Sequence, residues 1–268
     1  MSMTLMHFIA FLTEHKRSAL LVSVIALLGC ASAPLPVDSA DRVLVSSRWA
    51  QHSGVIDEAR QVPIAQQAPW SRFLLPGKKE TQYTPVTVNG RGAVQGFAES
   101  SASMLRRKVD VRPDSLRHVR FSWMVADLIA EANMADRDLD DSPVRVVFAF
   151  DGDRSRLSAK NVMLSELSHA LTGEPMPYAV LMYVWSKNKP VGSIIHSPRT
   201  DRIRKLVVES GPARLQQWLD FERDLKADYE HVFQEPVGPL KSIGIMTDTD
   251  NTRSTVRSLY GPVMVTTR

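Results

Sequence analysis

Residues 140–153 read DDSPVRVVFAFDGD, with two acids opening the run and an acid-glycine-acid turn closing it. Val144, Val146, Phe148 and Phe150 recur at a period of two, which puts them on one face of an extended strand. Arg145, Val147 and Ala149 fall on the other face. So apolar an inner face needs a second sheet beneath it, and an arginine on the outer face needs a reason to be held there. The stretch is therefore read as a buried strand of a two-sheet protein.

The flanking sequence carries the same punctuation. Residues 83–88 and 93–98 alternate on either side of Asn89-Gly90, the dipeptide whose two members best tolerate the positive φ of a tight hairpin turn. Gly90, Gly92 and Gly96 are spaced one residue too widely for a phosphate-binding loop, and no helix follows them. Further strands are expected over 103–111, at Val119, Phe121, Trp123 and Val125, and over 178–185, 203–209, 243–246 and 263–267. Helical spacing predicts a helix at 161–171 ended by Gly173, a short one at 127–134, and one from Trp218 through Phe221, Leu225, Tyr229 and Val232, stopped by Pro236. Eight to ten strands with two or three inserted helices make a mostly β fold, a two-sheet β-sandwich of jelly-roll type. It occupies residues 69–268.

Of 268 residues, 33 are Lys or Arg and 29 are Asp or Glu, a net charge of +4. The opposite charges are interleaved, with no basic block and no recognition motif, so nucleic-acid binding is excluded. Cys30 is the only cysteine, which excludes a disulfide framework, a cysteine-based metal site and an iron–sulfur cluster. Lys16 and Arg17 precede the apolar residues 18–28, a run too short to span a bilayer comfortably but right for a signal-peptide core. The run ends in Leu27-Leu28-Gly29-Cys30, which resembles the bacterial lipoprotein signal. That resemblance implies that residues 1–29 are removed and Cys30 is lipidated. Ala31, where an aspartate would retain the protein at the inner membrane, implies an outer-membrane anchor facing the periplasm. Residues 30–68 are rich in Ala, Ser, Pro and Gln and read as the lipidated cysteine and its tether.

The domain itself resembles a family of bacterial exported proteins catalogued as domain of unknown function 3047. The resemblance rests on Ala98-Glu99-Ser100-Ser101-Ala102-Ser103, the strand around Trp123, Asp140-Asp141 before Arg145, and Pro177-Tyr178-Ala179 leading to Tyr183-Val184-Trp185. The segment from Trp218 to Phe233 and Ile245-Met246-Thr247-Asp248-Thr249-Asp250-Asn251-Thr252 complete it. The sequence departs from the family at Phe121, where tryptophan is expected, and at Gln234, where glycine is expected. The layout is similar to galactose-binding-like sandwiches. The resemblance implies no activity, because a fold does not specify one.

Catalytic signatures are missing from the sequence. No histidine pair has metal spacing and there is no G-x-S-x-G elbow. Ser186-Lys187-Asn188-Lys189 matches S-x-x-K but follows a strand where that motif opens a helix. Asp248, Asp250 and Asn251 concentrate oxygen ligands suited to calcium, although Asp and Asn also simply form turns. Trp123, Tyr183 and Trp185 offer faces on which a sugar ring can stack, although large aromatics usually belong to a core. Asp141, Arg145, Asp248, Asp250 and Asn251 are expected to converge at one edge of the sandwich, with Asp141 and Arg145 contacting a ligand. The function expected is a lipid-anchored, non-catalytic module that binds an envelope or extracellular glycan. The alternative is a hydrolase of envelope polysaccharide working through paired carboxylates.

Overall fold

The computed structural model describes residues 44–64 and 67–268. The signal segment, Cys30 and the first part of the tether lie outside them. Residues 142–150 form the expected strand, and all nine are buried. Val146, Phe148 and Phe150 point into the main core, while Val147 and Ala149 join a second apolar cluster on the opposite face. Both faces of this strand are covered, which is why it reads as a nearly unbroken apolar run.

The strands are β1 (Gly54–Asp57), β2 (Val62–Pro63), β3 (Ser71–Leu74), β4 (Gln82–Val88), β5 (Arg91–Glu99), β6 (Ala102–Val111), β7 (Leu116–Val125), β8 (Ser142–Phe150), β9 (Ala179–Ser186), β10 (Ile194–His196), β11 (Ile203–Ser210), β12 (Leu219–Asp224), β13 (Leu240–Asp248), β14 (Thr255–Tyr260) and β15 (Met264–Thr267). The helices among the described residues include α1 (Arg48–Gln51), α2 (Ala159–Thr172) and α3 (Leu225–Phe233). One sheet runs β2-β1-β15-β7-β14-β5-β4, with β12 on the other edge of β7. The second runs β10-β11-β9-β8-β13-β6-β3. The protein is the expected mostly β, jelly-roll-like two-sheet sandwich. The core between the sheets includes Phe148, Tyr183 and Ile245 from one and Val119, Phe121 and Trp123 from the other. Asn89 and Gly90 have φ of 53° and 77° and join β4 to β5, as the hairpin requires.

Several local expectations fail. Strands among the described residues number fifteen, more than the eight to ten expected, because short edge strands carry too few residues to show a period. The stretch read as tether contributes α1, β1 and β2, with Trp49 and Val55 buried. Residues 127–134 form turns instead of a helix, although Ile129 and Met134 are buried. The helix expected from Trp218 begins only at Leu225, capped by Asp224, whose side chain accepts from the Ala227 N–H. Before it, β12 pairs with β7, so residues 219–224 follow a period of two. Gln234 ends α3 at φ 56°, the left-handed position where the family resemblance expects glycine.

Candidate functional site

Arg145 lies on the outer face of β8, yet it is only 3% exposed. Its Nη2 donates to the Asp140 carbonyl at 2.7 Å, to Asp140 Oδ1 at 3.2 Å and to Asp248 Oδ2 at 3.0 Å. Lys205, from the parallel-paired β11, is 0% exposed and reaches the other Asp140 oxygen at 2.8 Å and the Met134 carbonyl at 3.0 Å. Two cations and two carboxylates thus form one buried network. Charges removed from water persist only when paired this way. Burial first, and then Arg145, pushes the Lys205 ammonium down to about 8, with Asp140 pulling the other way.

The sequence places Asp141, Asp248, Asp250 and Asn251 beside Arg145, and the structure brings them together. Asp141 accepts from the Asn251 N–H at 3.2 Å, the Thr252 N–H at 2.7 Å and the Thr252 hydroxyl at 2.6 Å, pinning the turn after β13 to the start of β8. Asp250 pairs with Lys78. The Asn251 amide donates to the Arg137 carbonyl at 3.0 Å. Asp140, Lys78 and Lys205 are not among the site residues expected from the sequence; a lysine inside the apolar strand IRKLVVES was the available signal for the last of them.

The aromatic platform fails. Trp123, Tyr183 and Trp185 are at most 1% exposed. Tyr183 stacks on Phe121 at 5.4 Å and donates to Asp228 at 2.6 Å, and Trp185 donates to the Gly211 carbonyl at 3.0 Å. All three face the main core, where no sugar can reach them. Phe121, in place of the expected tryptophan, is part of that same stack.

What the outer face of the second sheet does offer is a cleft of about 530 Å³, within the range of small-molecule sites. Its floor is apolar and methionine-rich, with Met104 from β6, Met246 from β13, Val147 and Ala149 from β8, and Met182 from β9. Methionine adapts its shape readily to a ligand. Arg145, Lys205, Asp140, Asp248 and Asp250 close one end. Helix α2 flanks the cleft with Leu164, Leu167 and Leu171. The helix expected at 161–171 is present, yet its buried residues are only Asn161 and Ser165. Met163, Leu167 and Leu171 are 60%, 53% and 61% exposed. The helix thus leaves an apolar stripe uncovered beside an apolar trough.

A model of the family described as Protein of unknown function (DUF3047) matches residues 68–264. The chain belongs to the DUF3047 family. The match spans the whole site of this DUF3047 protein, from Lys78 to Asn251. No curated protein matches the sequence. Among solved structures, the DUF3047 chain is similar to the xyloglucanase domain of NopAA, a type three effector from Sinorhizobium fredii in complex with cellobiose. That likeness has 8% identity and a TM-score of 0.39, over 77% of this chain and 96% of that one. A structure titled "CBM4 structure and function" matches at 8% identity and a TM-score of 0.33, over 75% and 87% of the two chains. SGBP-B from a xyloglucan utilization locus in Bacteroides uniformis matches at 12% and 0.33, over 71% of this chain and 47% of that one. At such identities and scores none bears on what the DUF3047 chain binds.

Proposed function

We propose that the protein is an outer-membrane-anchored, non-catalytic module of the cell envelope. Its ligand is an amphipathic envelope component whose apolar part lies in the cleft and whose polar head, a sugar included, sits at the charged end. The observation that carries this reading is the apolar cleft floor lying beside the uncovered leucines of α2. The hydroxyls of a glycan would find partners at Lys78, Asp250 and Asn251, but stacking on Trp123, Tyr183 and Trp185 is not available. A hydrolase would need a carboxylate free to shuttle protons. The acids here are engaged otherwise, Asp140 and one Asp248 oxygen by Arg145, Asp141 by the 251–252 turn, Asp250 by Lys78 and Glu174 by Arg106 and Lys108.

Alkyl glycosides of increasing chain length, each below its micelle-forming concentration, test the reading by calorimetry. Each added methylene buried in the cleft contributes about 0.8 kcal/mol, so affinity should rise about fourfold per methylene, while the free sugar shows no binding. Met182→Asp should abolish the gain. Oligosaccharide binding without chain-length dependence would move the ligand out of the cleft.

The anchoring half rests on Lys16 and Arg17, the apolar run and Leu27-Leu28-Gly29-Cys30, in the order a lipoprotein signal requires. Metabolic labelling with a fatty acid should mark the wild-type protein in the membrane fraction and leave Cys30→Ser unmarked. Two or more acyl chains on one terminus anchor stably, whereas one alone is marginal. Label retained by Cys30→Ser rules the lipidation out.

A further inference from the structure

We propose that Asp141, Asp248 and Asp250 form a binding site for a divalent cation of the hard, oxygen-preferring kind, at the charged end of the cleft. One carboxylate oxygen from each residue lies within 4.8 Å of the other two. The three come from different places, Asp141 just before β8, Asp248 at the end of β13 and Asp250 in the turn beyond. The turn that carries Asp250 is pinned in place through the Asn251 and Thr252 N–H groups.

A second observation is independent of this proximity. Asp248 is 5% exposed, and its Oδ1 has no hydrogen-bond partner, although Oδ2 is held by Arg145. A buried carboxylate oxygen without a donor is rare in a folded protein and calls for a cation, a water or a proton. Oxygen ligands of this type suit calcium, which tolerates irregular geometry, better than magnesium, which demands an octahedron.

Asp141 joins the expected ligands Asp248 and Asp250 in the cluster, while the Asn251 side-chain N–H donates to the Arg137 carbonyl. Arg145 neutralises part of the cluster and sets a limit on affinity. Lys78, one-third exposed and paired with Asp250, is the group a metal ion would displace. This inference does not depend on the cleft's ligand, since it concerns the protein and the ion alone.

The test is calorimetric titration of the full chain, freed of metal by chelation, with calcium, magnesium and manganese chlorides at constant ionic strength. One calcium should bind per chain. Asp250→Asn, which leaves the Arg145 network in place, should weaken binding at least tenfold. Lys78→Ala, which removes the competing ammonium, should tighten it. Absence of saturable binding by any of the three ions up to about 10 mM, well above the dissociation constants of weak extracellular calcium sites, would overturn the proposal and leave a shared proton. Unchanged affinity in Asp250→Asn would overturn it equally.

Discussion

Replacing Arg145 with methionine should destabilise the protein by about 3–5 kcal/mol, because Asp140 and Asp248 would then share a buried site with only Lys205 and the half-exposed Arg199, 3.9 Å from Asp140, to balance them. Methionine keeps much of the side-chain length, so lost packing contributes little. Urea unfolding followed by tryptophan fluorescence measures the change as a shift in midpoint at constant slope. Asp248→Asn in the Arg145→Met background should recover part of the loss, since it removes the stranded charge. A loss below about 1 kcal/mol would mean that water reaches the network and that it behaves as a surface ion pair.

Phe148→Ala should cost a comparable amount, about 3–5 kcal/mol, for a different reason. Phe148 is fully buried at the centre of β8, its ring edge-on to Tyr183 at 5.4 Å. The close-packed sheets around it cannot collapse into the space it leaves. The same urea experiment reads this effect. Ala149→Ser, on the other face of the strand and at the cleft, should cost much less. Equal losses at the two positions would contradict the distinction between core and cleft faces.

Much of this architecture was legible because strand periodicity reports burial directly. Val144, Val146, Phe148 and Phe150 could share only one face, and Asn89-Gly90 could make only a tight turn. The convergence of Arg145 with Asp248 was expected because Arg145 faces away from the core on its strand and the acidic turn leaves the end of another. The misreadings have physical sources. In residues 219–224 a period of two and a step of three or four coincide at Phe221, and only the pairing with β7 decides between them. Residues 127–134 bury Ile129 and Met134 from turns, without the backbone repeat that would reveal it. A strand covered on both faces gives its sequence no label for which face is the core. Trp123, Tyr183 and Trp185 could therefore pass for a platform, and Met104, Met182 and Met246 could pass for ordinary core. Lys205 carried a signal as a lysine inside an apolar strand, but nothing in the sequence paired it with Asp140, 65 positions away.

The central claim is that ligand binds over the outer face of the second sheet, and methionine-methyl NMR tests it most directly. The protein has eleven methionines. Met104, Met182 and Met246 line the cleft, whereas Met124 and Met264 belong to β7 and β15 of the other sheet. With isotope-labelled methionine methyls assigned by single substitutions, titration with a long-chain alkyl glycoside should shift Met104, Met182 and Met246 and leave Met124 and Met264 unmoved. Shifts confined to Met124 and Met264, with the cleft methyls silent, would contradict the account.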